Sequence, residues 1–150
     1  MAYHVKISGF DDLYKTLNKS ADGLTGCMKR TVYAGAEVVA DEVRSSLNSA
    51  LKGTGDGGLQ GALDVSKIKA VGGDVYTRIG FGGYDSHPSK KYPEGQPFSI
   101  IAAVLESGRS KQPGRAKTHF FSNAINSARK KAKGAMQEEF NKSFNKTIGE

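Results

Sequence analysis

Basic side chains are the largest group of chemically active residues in this 150-residue chain, and many lie near its C-terminal end. The sequence has no acidic residue between Glu106 and Glu138. Eight cations fall in that stretch: Arg109, Lys111, Arg115, Lys117, Arg129, Lys130, Lys131 and Lys133. Because lysine and arginine bind phosphate whatever the base sequence, the stretch is a candidate surface for DNA or for an acidic protein. The alternative is a solvated helix face with a loop, since interleaved aromatic residues and a nucleic-acid motif are missing.

A glycine-rich segment matches the spacing of a dinucleotide-binding loop. Gly53, Gly55 and Gly58 follow the pattern G-x-G-x-x-G. In a nucleotide site, however, these glycines follow a strand and open a helix, where the backbone meets the pyrophosphate. Here they follow a predicted long helix, and Asp56 lies among them. We therefore predict a flexible loop and no nucleotide cofactor.

Candidate catalytic and metal-binding residues are few. His4, His87 and His119 do not share a helix face, whereas a metal site needs three or four converging ligands. Cys27, the single cysteine, falls on or beside an apolar helix stripe, so we expect a small buried side chain rather than a reactive thiol. The G-x-S-x-G pattern of a serine nucleophile is also missing. These features predict a protein that is not an enzyme and uses no cofactor or metal.

Apolar spacing predicts the elements of the first half of the chain. Alternation over Tyr3–Ile7 predicts a strand, and apolar residues three and four apart predict a short helix over 10–19. An apolar stripe predicts a long helix over about 23–52. Gly35 lies on that stripe, where glycine costs about 1 kcal/mol of helix propensity. We therefore expect another backbone to approach closely at Gly35.

The second half of the chain predicts a hairpin and two further helices. Two β-rich runs flank Gly72-Gly73, and Val75–Ile79 alternates, which indicates one buried face. A compact apolar segment over 98–106 predicts a short helix, and a stripe over about 118–145 predicts a long one. The whole chain, 1–150, is therefore predicted to be one α+β domain. Two long helices pack on a small, mainly antiparallel sheet, with flexible Gly- and Pro-rich loops.

Composition narrows the classes of protein and partner. The chain is 37% hydrophobic, enough for a core, and its net charge of +7 favours an anionic partner. Apolar runs fall well short of the roughly 20 residues of a membrane span, and the first residues lack a secretory leader. We therefore expect no membrane partner and synthesis in a reducing cytoplasm. Two loops, 53–62 and 82–97, are candidate assembly segments. Their candidate residues are Gly53, Gly55, Asp56, Tyr84, Lys90, Lys91 and Tyr92.

The order of short motifs along the chain resembles the neck proteins of tailed bacteriophages. The opening ISGFDDLYKTLNK is followed by a long helix, TGD at 54–56 and a hairpin ending in RIGFGGY. LESG at 105–108 and SKQPGRAKTHFFSNAINSAR then lead into a lysine-rich helix. The resemblance covers nearly the whole chain and rests on the order of the motifs. The sequence departs from the family in three places: two glycines precede Leu59, Ser107 replaces an aromatic residue, and 117–120 replaces Arg-Pro-Phe.

The resemblance implies a non-enzymatic structural protein of the virion neck, made in the cytoplasm of a bacterial host. Such proteins complete the head-proximal end of the tail and join it to the head connector, as members of a ring around the DNA path. The implied partners are connector or head-closure proteins, tail terminator or tail tube proteins, other copies of the chain, and DNA as passing cargo. The family supplies no catalytic residues. The alternative is a small basic nucleic-acid-binding protein.

Overall fold

Two long helices, α1 (Ala21–Leu51) and α3 (Phe120–Ile148), form the scaffold. The computed structural model describes residues 2–7, 21–52, 58–111 and 114–148. The helices are antiparallel: Gly23 at the start of α1 faces Thr147 at the end of α3. Near the other end, the Ser46 hydroxyl donates to the Phe120 carbonyl oxygen at 2.8 Å. Both long helices are confirmed, whereas the short helix predicted over 10–19 lies outside the described residues.

The core lies between the two long helices and one face of the sheet. Val32, Val43 and Leu47 of α1 are fully buried, in one cluster with the small side chains of Ala124 and Ala128 on α3. Alanine lets the two helix backbones approach while burying apolar surface, at about 25 cal/mol for each Å² removed from water. The stripe that identified α1 in the sequence is therefore the stripe that the fold buries.

Gly35 contacts a side chain rather than another backbone. A Cβ atom at this position would lie 2.5 Å from Sδ of Met136 on α3. The predicted close approach is therefore correct, but the predicted backbone partner is wrong. The glycine leaves room for a flexible methionine that fills the gap between α1 and α3.

Strand β4 (Asp74–Phe81) is the centre of the sheet. It pairs antiparallel with β1 (Ala2–Ile7) on one side and with β2 (Leu63–Val65) and β3 (Lys69–Val71) on the other. Alternate β4 residues, Val75 to Phe81, are buried against the helices. This confirms the face that the sequence predicted.

The β3–β4 hairpin turns at Gly72-Gly73, where both φ angles are positive (60° and 87°), as a tight two-residue hairpin requires. The predicted first strand of this hairpin is split into β2 and β3. At the break, the hydroxyl of buried Thr77 donates to the Ser66 carbonyl oxygen at 2.6 Å. The Ser66 amide donates to the Arg78 carbonyl at 2.8 Å. These bonds satisfy a polar side chain inside the sheet and interrupt the ladder there.

The proline-rich segment 82–97 is a long loop, as predicted, and is tied together at its base. Oδ1 of Asp85 accepts hydrogen bonds from the Gln96 amide at 2.8 Å and the His87 amide at 3.2 Å. The Asp85 amide in turn donates to the Gln96 carbonyl at 3.0 Å. One aspartate therefore holds both arms of the loop just before helix α2 (Phe98–Ser107).

The end of α2 is bonded to the start of α3 through Glu106, which is only 7% exposed. Its carboxylate accepts from the Phe121 amide at 2.8 Å and the Ser122 amide at 3.2 Å. The first amides of a helix have no partner within the helix, and they favour negative charge. Glu106 therefore caps α3 from the preceding helix. Gly108 (φ 77°) ends α2, as predicted, and lets the chain turn back.

Candidate functional site

The structure divides the eight predicted cations into two groups. Four of them, which we call the loop cations, lie in the loop between α2 and α3: Arg109, Lys111, Arg115 and Lys117. The other four, which we call the helix cations, lie on α3: Arg129, Lys130, Lys131 and Lys133. All eight side chains are exposed. With a rise of 1.5 Å for each residue, Lys131 lies about 16 Å along α3 from Phe120, where the loop ends. The sequence stretch is therefore two separate basic surfaces.

The helix cations also point in different directions, because successive helix residues are about 100° apart. Nζ of Lys131 lies 3.6 Å from Oε2 of Glu42 on α1. Lys131 therefore has a counter-charge across the helix pair, and the prediction of a stretch without counter-charges is wrong at this residue. Arg129 and Lys133 instead border a groove beside β1, and Lys130 is exposed to solvent.

A groove of about 500 Å³ lies between β1 and α3. Its apolar lining comes from Val5 on the strand and from Met136 and Phe140 on the helix. Arg129 and Lys133 line the same groove. This arrangement suits a ligand or peptide with an apolar body and a negative charge.

A further surface with three cations near an aromatic ring lies on the outer face of the sheet, and sequence reasoning missed it. Tyr76 pairs with Lys6 on one neighbouring strand and with Lys69 on the other, and Arg78 pairs with His4. Directly opposed residues have Cβ atoms about 5 Å apart. Lys6 forms an ion pair with Asp74 at 2.7 Å, and the register of β2 on β4 places exposed Asp64 on this face as well. Alternation alone assigns Lys6 and Arg78 to the outer face, but only the strand register brings them together around an aromatic ring.

The predicted assembly residues lie partly within the described structure. Tyr84 is 54% exposed and forms an isolated bridge with Pro97, just before α2. Lys90 is exposed, and Nζ of Lys91 lies 5.3 Å from the ring centre of Tyr92. Gly53, Gly55 and Asp56 lie outside the described residues.

Cys27 is fully buried between the long helices, as predicted. Burial raises the pKa of its thiol, and Sγ lies 3.7 Å from the Phe140 carbonyl oxygen. The thiol is therefore held in its protonated form, which is a poor nucleophile.

The described residues contain neither a cluster of metal ligands nor a membrane-spanning helix. Within residues 2–7, 21–52, 58–111 and 114–148, no three His, Cys, Asp or Glu side chains are grouped closely enough to hold a metal ion. No helix in the same part of the chain is both long and apolar enough to cross a membrane.

The described surfaces therefore offer positive charge and apolar grooves for binding. Comparison with known proteins adds no further assignment, because no protein-family model, no curated protein and no solved structure matches the chain.

Proposed function

We propose that this chain is a structural protein of a tailed-phage virion. It completes the head-proximal end of the tail and joins it to the head connector, as a subunit of a ring around the DNA path. Its partners in this proposal are connector or head-closure proteins on one side and tail terminator or tail tube proteins on the other. The proposal includes no catalytic step.

The observation that carries this proposal is a contact between two motifs of the resemblance. Glu106 belongs to LESG, and Phe121 and Ser122 belong to the segment that opens the last helix. The carboxylate of Glu106 accepts hydrogen bonds from both of these amides. The resemblance rests on the order of such motifs, and their direct bonding gives that order a structural reason.

The test is electron microscopy of particles from the source phage after the gene is interrupted by a stop codon. We expect DNA-filled heads and free tails of normal length that are not joined. Supplying the intact gene on a plasmid is the control and restores joined particles. Complete, infectious virions from the interrupted gene would contradict the proposal.

The second candidate function, nucleic-acid binding, is favoured by the outer face of the sheet. Lys69 and Arg78 lie near Tyr76 there, so cations for phosphates adjoin a ring on which a base can stack, whereas Lys6 is paired with Asp74. We expect such binding to weaken linearly with salt on a log–log plot, because counterions are released from DNA. Failure to bind duplex or single-stranded DNA at about 50 mM salt would exclude this function.

A further inference from the structure

The outer face of α2 is apolar although solvent reaches it. Phe98, Ala102 and Leu105 are buried on the inner face, whereas Ile100 is 37% exposed on the outer one. Two more outer residues, Ala103 and Val104, are partly exposed. Only Ser99, Glu106 and Ser107 of α2 are polar, and a helix this apolar is normally covered on most of its sides. The outer face of α2 therefore has the character of an interface.

The loop cations follow directly after this face. Gly108 packs against the backbone of Arg115 and Lys117, which brings the returning loop to the end of α2. Among the described residues, no acidic side chain lies within ion-pair distance of the loop cations. At the other end of α2, exposed Tyr84 bridges to Pro97. The face thus has an apolar centre and a basic end, an arrangement typical of protein interfaces.

A groove of the opposite charge lies between α1 and β2, with a volume of about 260 Å³. Tyr33, which is 48% exposed, and the partly exposed Val65 give it apolar surface. Its acidic residues are Glu37, Asp41 and Asp64. Asp41 pairs with Arg44 at 2.9 Å, whereas Glu37 and Asp64 have no basic partner within ion-pair distance among the described residues. The groove therefore carries uncompensated negative charge beside apolar surface.

From these two surfaces we infer that the outer face of α2 in one copy docks into the α1–β2 groove of a second copy. Ile100 and its apolar neighbours enter the groove, and the loop cations meet Glu37 and Asp64. The lengths agree as well: α2 has 10 residues, or about 15 Å, and the groove runs from Tyr33 to Arg44, or about 16 Å along α1. An amphipathic helix in a groove is a common mode of recognition.

The two surfaces are different parts of the chain, so each docked copy leaves one of them free. Contacts of this kind are heterologous, and they form a ring when the rotation between neighbours closes. The inference that two copies pair depends only on the properties of these two surfaces. Closure of the pairs into a ring rests on the proposed function.

The test uses two variants of the purified full chain. The face variant is Ile100→Asp, and the groove variant is Glu37→Lys with Asp64→Lys; all three residues are exposed. Association is measured by native mass spectrometry and sedimentation velocity at about 50 mM salt, where ionic contacts are weakly screened. We expect the wild type to associate and each variant alone to do so at least about tenfold more weakly, a loss of about 1.4 kcal/mol.

Mixing the two variants gives the decisive result. The face variant retains an intact groove, and the groove variant retains an intact face, so the mixture should form 1:1 dimers and nothing larger. Glu138→Lys, an exposed charge change elsewhere on α3, is the matched control and should associate like the wild type. Circular dichroism checks that every variant is folded.

Three results would overturn the inference: a wild type that stays monomeric at about 100 µM, variants that associate as well as the wild type, or a mixture that forms no dimer. A monomeric wild type would exclude a second copy as the occupant of this face. The particle test is independent of this experiment. If the interrupted gene gives unjoined heads and tails but the variants associate as well as the wild type, only the interface is refuted. If the interrupted gene gives normal virions but the mixed variants form the expected dimers, only the neck function is refuted.

Discussion

Glu106 shows how one buried carboxylate connects two helices. Replacing it with alanine leaves the Phe121 and Ser122 amides without their acceptor in a largely buried place. We expect Glu106→Ala to lower the free energy of unfolding by about 1–3 kcal/mol, because unsatisfied buried donors carry that cost. Urea unfolding measures the change. The control is Glu138→Ala, an exposed glutamate on α3, which should stay within about 0.5 kcal/mol of the wild type. Equal stability of the two variants would show that the cap contributes nothing.

Gly35 and Gly134 form a natural pair for testing helix packing. Both lie in long helices, but a Cβ atom at Gly35 meets Met136, whereas one at Gly134 meets nothing within 4 Å. We expect Gly35→Ala to destabilise the protein by about 1–3 kcal/mol through overpacking. Gly134→Ala should stabilise it by up to about 1 kcal/mol through helix propensity.

Thermal unfolding compares the two glycine variants, and adding Met136→Ala to Gly35→Ala isolates the contact between them. If Gly35→Ala is as stable as Gly134→Ala, Met136 moves aside at no cost. In that case the proposed reason for the glycine is wrong.

Cys27 makes stability depend on pH in the alkaline range. Burial raises the pKa of the folded thiol above the ordinary value of 9.0, so the unfolded chain loses this proton first as pH rises. The protonated thiol therefore contributes fully to the free energy of unfolding below about pH 9. This contribution is lost as the pH rises through the pKa of the thiol in the folded protein. We expect the stability difference between the wild type and Cys27→Ala to shrink between pH 8 and 11, in urea unfolding at each pH. A difference that stays constant over this range would contradict the burial effect.

At the scale of elements, the strand register gathers cations that lie far apart in the sequence. If duplex DNA binds the outer face of the sheet, removing Lys69 and Arg78 with alanine should reduce the salt dependence of affinity. The log–log slope should fall by about 0.9 for each phosphate that the variant no longer neutralises. Filter binding or fluorescence anisotropy across a salt series measures it. The control removes Lys130 and Lys142, two exposed lysines of α3. A change in the control alone would place DNA on α3 instead.

At the scale of the whole molecule, α1 and α3 pack along one another while α1 also contacts β1, β2 and β4. Separating any one element therefore exposes part of a core that the others share. We expect a single cooperative unfolding transition. Far-UV circular dichroism, which follows the helices, and near-UV dichroism of the six tyrosines should give one midpoint. Two separate midpoints would contradict a shared core.

Much of this fold was predictable because burial has a period that the sequence displays. The stripes of α1 and α3 and the alternation of β4 each put apolar residues on one side of an element. The order of elements followed, and so did the α+β class. Gly72-Gly73 identified the hairpin because positive φ angles favour glycine. Gly108 ended α2, also with a positive φ.

The candidate surfaces were less predictable, because charge has no such period. Lys131 and Glu42 lie far apart in the sequence, and only the packing of α3 on α1 makes them an ion pair. The basic stretch looked continuous because sequence distance ignores the direction in which each helix residue points. The outer sheet face was missed because its cations come from three different strands.

By itself, the sequence determined which segments bury one face, since that depends on the local pattern of apolar residues. It also carried the motif order behind the proposed neck function. The tertiary structure alone decided which segments meet: the register of β1 on β4, the Glu106 cap, and the opposite charges of the α2 face and the α1–β2 groove. The physical reason is that such contacts join residues distant in sequence, and their geometry is set by the packing of the whole core rather than by neighbours along the chain.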